Sequence, residues 1–129
     1  MTRCSLRVLA LVLTLPLGLS AQTLTWGHPP VPKAGACFYN WPNFDAHKGK
    51  YFCRKTGQDI PNLPKNFNNA ISSIRILGGV TVRIYDDFNF QGHVLFIRYN
   101  IADLRRVAVG NDPQKTWNNR ISSISVRQR

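Results

Sequence analysis

Residues 67–76 read FNNAISSIRI, and residues 117–126 read WNNRISSISV. Six of the ten positions are identical at an offset of 50, an internal duplication within a chain of 129 residues. Each copy is an aromatic residue, an Asn pair, an Ile-Ser-Ser-Ile run and an alternating tail. The tails predict strands with one buried face: Ile74 and Ile76 alternate with Ser73 and Arg75, and Ile124 and Val126 with Ser123, Ser125 and Arg127. The duplication extends upstream. Tyr39 is followed five residues on by Phe44, with Gly49 after an insertion; Tyr85 is followed five residues on by Phe90, with Gly92 two further. The domain therefore spans residues 36–127, as one half over 36–77 and a second over 80–127, joined at Gly78-Gly79. A unit of about 45 residues used only twice predicts two fused Greek keys rather than a solenoid.

Val80, Val82 and Ile84 alternate with Thr81 and Arg83, which predicts another half-buried strand. Val94–Ile97 is continuously apolar and reads as a more buried one, and residues 101–109 could hold a helical turn. The expectation is about eight short strands in two packed antiparallel sheets, an all-β sandwich. Composition agrees. All six acids are Asp and there is no Glu, which argues against surface helices, whereas 3 Trp, 4 Tyr and 7 Phe favour sheet.

The N-terminus is different in kind. In residues 1–21, Arg3 and Arg7 precede an apolar stretch from Val8 to Leu19 that ends in Ser20 and Ala21, the pattern of a cleaved secretory signal peptide. The run is shorter than the roughly 20 residues needed to span a bilayer, so no integral membrane segment is expected in the mature chain. Cleavage near Ala21 leaves about 108 residues and places the protein outside the cell or in a periplasm. Residues 22–35, rich in Pro, read as an extended linker. Cys4 leaves with the signal, so Cys37 and Cys53 remain as an even pair in an oxidising compartment. Their bridge would close a loop of roughly 17 residues and contribute about 3 kcal/mol. No Cys or His spacing supports a metal site for them instead.

With these elements in place, the chain resembles the βγ-crystallin superfamily. One shared signature is aromatic-x4-aromatic-x-Gly, intact from Tyr85 through Phe90 to Gly92. The first half keeps Tyr39 and Phe44 but delays the glycine to Gly49. The second is the Asn/Asp-Asn/Asp-x-x-Ser/Thr-Ser element, present at residues 68–73 and 118–123. The Cys pair flanking the first hairpin is similar to the secreted bacterial branch that includes the crystallin-type metalloproteinase inhibitors. In such hairpins the first aromatic folds over the turn onto the second, which pairs Tyr39 with Phe44 and Tyr85 with Phe90. The glycine would sit where φ is positive or where an aromatic face excludes Cβ.

The resemblance also implies Ca2+ binding, because the repeated element offers hard oxygen ligands. Carried over, one site would use Asn69, the Ala70 carbonyl and Ser72 with Asp86 from the second half. The other would use Asn119, the Arg120 carbonyl and Ser122 with Asn40 from the first. Asn68, Ser73, Asn118 and Ser123 would support the turns. Neutral ligands, a formal net charge that falls from +11 to +9 when Arg3 and Arg7 leave with the signal, and Arg120 inside the second site imply weak binding at the first and weaker at the second.

Catalytic chemistry is not evident. His28, His47 and His93 belong to no HExxH motif, and no G-x-S-x-G is present. Asp86-Asp87 reads as a turn cap or a calcium ligand pair. The basic cluster Lys48, Lys50, Arg54 and Lys55 suits an anionic envelope polymer or an acidic protein surface, and no nucleic-acid motif accompanies it. Three functions follow for a non-enzymatic secreted protein. The first is a crystallin-type structural or binding module; the second is a protease inhibitor acting through the enlarged turn at residues 44–49, near Cys53. The third is a small cationic antimicrobial toxin.

Overall fold

Alternating apolar residues in the two halves build eight strands in the computed structural model, which describes residues 30–129. They are β1 (Gly35–Tyr39), β2 (Tyr51–Lys55), β3 (Ser73–Leu77), β4 (Val80–Tyr85), β5 (Val94–Ile97), β6 (Ala108–Val109), β7 (Asp112–Thr116) and β8 (Ser123–Gln128). The signal-peptide reading and residues 22–29 of the linker lie outside the described residues. The rest of the linker is not detached: Ala34 packs against the core and its carbonyl accepts from the Thr56 N–H at 3.4 Å. No helix among the described residues is long and apolar enough to cross a membrane.

The strands form two three-stranded antiparallel sheets, ordered β2-β1-β3 and β5-β4-β8, with a small β6-β7 ribbon beside them. The halves then exchange a fourth strand. Residues 57–63 of the first half run along β8, with the Gly57 N–H on the Val126 carbonyl at 2.9 Å and Ile60 and Ile124 bonded in both directions at 2.8 and 2.9 Å. Residues 101–104 of the second half run along β3, with Ile101 and Ile74 bonded both ways at 2.9 Å and the Leu104 N–H on the Ser72 carbonyl. Each Greek key is therefore completed by the other, and neither half closes its own sheet. The helical turn expected in residues 101–109 is a single 3-10 turn at Leu104–Arg106, capped by the Asp103 carboxylate on the Arg105 N–H.

The core repeats the duplication. Phe67 and Trp117, Ile71 and Ile121, and Ile74 and Ile124 are each at most 1% exposed and occupy equivalent places in one apolar cluster with Phe38, Ile84, Val82 and Val126. Asn69 and Asn119 take the left-handed conformation, with φ of 55° and 54°, which Asn tolerates because its short amide can bond locally.

A second pair of positions locks the hairpins. Ser73 and Ser123 are fully buried. The Ser73 hydroxyl donates to the Trp41 carbonyl at 2.6 Å and accepts from the Phe44 N–H at 3.1 Å. The Ser123 hydroxyl donates to the Asp87 carbonyl at 2.6 Å and accepts from the Phe90 N–H at 3.0 Å. Each serine thus holds both sides of a tight turn whose residues Asn43, Phe44, Asn89 and Phe90 have φ between 56° and 60°. The turned-back chain brings the rings together edge to face, Tyr39 on Phe44 at 5.9 Å and Tyr85 on Phe90 at 5.6 Å. Each turn is also tied to the opposite half, by the Asn43 N–H on the Ala102 carbonyl at 2.7 Å and the Asn89 N–H on the Pro61 carbonyl at 2.8 Å.

One expectation fails. Val94–Ile97 is not a more buried strand: Val94 is 42% and Phe96 56% exposed, while Ile97 is buried. β5 is the outer strand of its sheet, so only Leu95 and Ile97 face the core. The continuous apolar run hid a strand with one covered face.

A further cross-half tie is ionic. The Arg127 guanidinium grips the Asp59 carboxylate with two nitrogens, and Asp59 also accepts from the Val126 N–H at 3.2 Å. The Arg127 bond holds the Asp59 carboxyl below the usual carboxylate range.

Two predictions follow from these locks. Ser73→Ala and Ser123→Ala each leave a buried carbonyl and amide without a partner, and each lowers the unfolding free energy by about 1–3 kcal/mol in denaturant titration. An unchanged midpoint in both would show that the serine bonds do not hold the hairpins. For Asp59 the sign is that of a depressed carboxyl: its stabilisation is complete above the ordinary Asp pKa of about 3.9 and is lost as pH falls through the lower folded value. Asp59→Asn therefore melts at a lower temperature at pH 7 and shows a shallower fall in Tm on acidification below about pH 4 than the parent. Parallel Tm profiles would contradict it.

Candidate functional site

The residues singled out above fall in two places, the paired Asn-Ser loops and the enlarged first hairpin.

The loops meet across the pseudo-twofold axis. The Asn69 N–H donates to the Ile121 carbonyl at 2.9 Å, and the Asn119 N–H to the Ile71 carbonyl at 3.0 Å. These bonds carry each Asn side chain over to the other half's serine. Ser72 Oγ lies 3.4 Å from Asn119 Oδ1, and Ser122 Oγ lies 3.4 Å from Asn69 Oδ1. Ser72 and Ser122 in turn donate their N–H groups to the Tyr39 and Tyr85 carbonyls, at 2.8 and 2.9 Å, which brings in Asn40 and Asp86. Asn40 donates its amide to the Ala70 carbonyl at 2.9 Å. The Arg120 guanidinium stands 3.9 Å from the Asp86 carboxylate and donates through Nε to the Thr116 carbonyl.

All eight residues expected at the ion cradles thus gather in two groups, but the partition differs from the sequence reading. Asn119 lies on the side of Asn40 through Ser72 and Tyr39, and Asn69 on the side of Asp86 through Ser122 and Tyr85. The serines exchange places: Ser72 and Ala70 join Asn119 and Asn40, whereas Ser122 and Arg120 join Asn69 and Asp86. Asn69 and Asn119 are both left-handed, and the amide oxygen of each faces the serine of the other half.

The groups also differ chemically. Around Asn40 the oxygens are neutral, and Asn40 Oδ1 is buried without a hydrogen-bond partner. Asp86 is fully engaged: Oδ1 accepts from the His93 N–H at 2.7 Å, Oδ2 lies 2.9 Å from His93 Nδ1, and Arg120 sits beside it. Gly92 follows from this arrangement. Its φ is 79°, and a Cβ would meet Asp86 Oδ1 at 2.1 Å. The expected alternative, an aromatic face excluding Cβ, applies at Gly49, where Trp41 Cδ1 would lie 2.2 Å away. Asn68 Oδ1 and Asn118 Oδ1 are also buried and unpartnered.

The first hairpin carries the insertion. Asp45 caps it by accepting the N–H groups of His47 at 2.9 Å and Lys48 at 3.0 Å, and these bonds, Lys48 first, hold its carboxyl below the usual range. Lys48 lies over the Trp41 ring at 5.9 Å. Arg75 stacks on Phe44 at 5.1 Å, and Tyr39 is sandwiched between Phe44 and Tyr51. The Asn40 N–H on the Lys50 carbonyl, at 3.0 Å, closes the base. Beneath it, Cys37 and Cys53 face each other in register on β1 and β2 and are joined by a disulfide. The hairpin encloses an open cleft of about 510 Å³ with Trp41, Phe44, His47 and Lys48 on one side and Arg105 on the other. Asp103 fixes Arg105 by a two-point bond at 2.8 and 2.9 Å.

Trp41 is 47% exposed on this backbone. Sequence reasoning used the enlarged turn but missed Trp41 and Arg105. The signal for Trp41 was an aromatic lying between the two signature aromatics, with no place in the signature. Arg105 comes from the other half and no local pattern joins it to the hairpin. Of the basic cluster, Arg54 is half-buried and stacks on Phe52 at 5.4 Å, so it is no simple solvated charge. No group of three or more His, Cys, Asp or Glu that could hold a metal occurs among the described residues.

Residues 29–97 match the family model described as Peptidase inhibitor family I36. Among solved structures, the chain is similar to the Ca2+-bound βγ-crystallin domain of Abundant Perithecial Protein from Neurospora crassa. The two are 21% identical with a TM-score of 0.58, over 78% of this chain and 94% of that one. A βγ-crystallin from an archaeon is 26% identical with a TM-score of 0.56, over 76% and 100% of the two chains. A βγ-crystallin domain from Flavobacterium johnsoniae is 26% identical at 0.53, over 73% and 94%. No curated protein matches the chain. The fold is that of the βγ-crystallins.

Proposed function

Because the chain belongs to peptidase inhibitor family I36, we propose that it is a secreted, non-enzymatic βγ-crystallin-type inhibitor whose peptidase-contacting surface is the hairpin at residues 40–50. The observation that carries this reading is the half-exposed Trp41 on a backbone already tied down. Ser73 holds Trp41 and Phe44, Ala102 holds Asn43, Asp45 holds His47 and Lys48, and the disulfide clamps the strands below. An inhibitor must occupy an active site without being ordered by it. A loop that is rigid before contact loses little conformational entropy on binding, and a projecting Trp supplies the kind of anchor that dominates interface energetics. The target class is a metallopeptidase, in keeping with the secreted crystallin-type inhibitors that the first half resembles.

In a titration against a thermolysin-like enzyme, with a serine peptidase as comparator, the mature protein inhibits the former. Trp41→Ala weakens inhibition about 30-fold, the ~2 kcal/mol of an aromatic anchor, with Tm unchanged. Undiminished hydrolysis by the metallopeptidase under a large molar excess of the protein sinks the proposal. Equal potency of Trp41→Ala moves the contact elsewhere.

A second reading, weak Ca2+ binding, is favoured at one of the two loop pairs. Oxygens about 2.4 Å from one Ca2+ and at roughly a right angle to each other are about 3.4 Å apart. Ser72 Oγ and Asn119 Oδ1 have that spacing, and Asn40 Oδ1 beside them lacks a partner. The residues there fit a hard cation held by neutral oxygens, which gives low affinity. The Ser122–Asn69 pair has the same spacing but does not fit, because Arg120 already supplies positive charge to Asp86. Calorimetry with millimolar Ca2+ gives a single weak site that Asn119→Ala removes. A flat titration with no rise in Tm excludes it.

A further inference from the structure

The disulfide has a counterpart in the second half that is not covalent. Cys37 faces Cys53 two residues before Tyr39 faces Tyr51, and Arg83 faces Phe96 two residues before Tyr85 faces Val94. Where the first half has a bridge, the second has the Arg83 guanidinium stacked on the Phe96 ring at 5.2 Å. The outer strands diverge with it. β2 carries Arg54 and Lys55 and is stapled to its neighbour, two devices that discourage a further strand from adding. β5, Val-Leu-Phe-Ile, has no charged residue, no Pro and no staple.

The ladder parity says which backbone groups β5 leaves over. The Asp86 N–H donates to the His93 carbonyl at 3.3 Å, so His93, Leu95 and Ile97 bond inward to β4. Val94 and Phe96 point their N–H and C=O groups to the open edge, and among the described residues no backbone group pairs with them. Their side chains, 42% and 56% exposed, share the outer face with Arg83, and Tyr99 just beyond is 79% exposed with Arg129 over its ring. Arg83 Nε is buried without a hydrogen-bond partner. The charge here is mainly positive. Arg83, Arg98 and Arg129 belong to this face or its margin, Arg127 and Asp59 neutralise each other at one border, Asp86 is engaged by His93 and Arg120 at the other, and Asp87 stands exposed at the hairpin end of the strand.

We propose that the open edge of β5 accepts an extended acidic polypeptide segment as an added strand, with backbone bonds at Val94 and Phe96 and carboxylates on the surrounding arginines. A free ladder edge selects polypeptide over other polyanions, because only a peptide backbone matches its alternating donors and acceptors. The arginines select acidic side chains and disfavour a second copy of this chain, which would bring the same positive charge to the edge. The proposal is independent of the inhibitory reading and uses none of the residues at 40–50.

The test uses the mature protein and the peptide acetyl-Glu-Val-Glu-Val-Glu-Val-amide, followed by amide exchange in solution NMR. In the free protein the Val94 and Phe96 amides exchange faster than those of Leu95 and Ile97; saturating peptide slows Val94 and Phe96 about tenfold or more. Val94→Pro removes an outward N–H that an edge strand can lose without unfolding, and weakens peptide binding about tenfold while Tm holds. Arg83→Gln weakens it with the backbone donors intact, and a Lys-for-Glu peptide does not bind. Several outcomes overturn the proposal. They are equal binding by a peptide N-methylated at alternate amides, protection confined to residues 40–50, tight binding of polyphosphate with no tight binding of the peptide, or a dimer that excludes the peptide from β5.

Discussion

The structure depends on two buried hydroxyls. A β-hairpin that turns back on itself, with two consecutive left-handed residues, exposes backbone groups that neither strand can satisfy. Ser73 and Ser123 each satisfy a carbonyl and an amide at once from a fully buried position. Apolar residues there would leave both groups orphaned, at a cost of about 1–3 kcal/mol for each serine lost. Once the turn is held, the signature aromatics have only one place to go, against each other and over the strand ends. The serine sits at the start of the last strand of each half, so the hairpin cannot lock until that strand has docked. Local turn and long-range pairing are in this way parts of one event.

The exchange of strands gives that event its partner. Residues 57–63 complete the second sheet and residues 101–104 the first. A half alone would keep an open edge beside β3 or β8 and half an apolar core, so the fold is stable only as a pair. The Asn69–Ile121 and Asn119–Ile71 bonds tie the same ends together. Duplication left the halves free to differ wherever this exchange does not reach. At the equivalent cross-strand position, one half has a bridge worth about 3 kcal/mol in the chain-entropy model and the other a stacked Arg–Phe pair worth about 0.5–1 kcal/mol. The covalent constraint lies under the hairpin that carries the insertion.

Much of this was legible in the sequence because the repeat imposes the same environment twice. From Phe67 and Trp117 through Ser72 and Ser122 the two copies have the same burial position by position, so an alignment of the chain with itself located the core, the turns and the strand starts. The aromatic spacing located the hairpins. Other features, like the reach of Arg105 to the first hairpin, were not legible. The identity of the serine that faces each Asn depends on the left-handed turn and on bonds to the opposite half, which spacing along one copy cannot report. The exposure of Val94 and Phe96 depends on which strand ends up outermost. Arg120 reads as an intruder in one cradle when it lies beside Asp86 in the other, because sequence adjacency to Asn119 says nothing about where a long side chain reaches.

The insertion shows how a fold with so little slack can carry a variable surface. In the second half Phe90 and Gly92 are separated by one residue, and the Asp86 carboxylate fills the space over Gly92. In the first half the glycine is delayed to Gly49, yet the lock is intact, because Ser73 needs only Trp41 and Phe44. Residues 45–49 are therefore outside the obligations of the hairpin. They are nonetheless not loose: Asp45 caps them from one side, and Trp41 closes over Gly49 from the other. The extra length lies beyond the residues that Ser73 holds, and Asp45 and Trp41 rigidify it. That combination, independence from the core together with local rigidity, is what a recognition loop requires. Under the inhibitory reading, a change of the Trp41 side chain acts at the contact and leaves the bond between its carbonyl and Ser73 in place, whereas loss of the Ser73 hydroxyl undoes the lock itself.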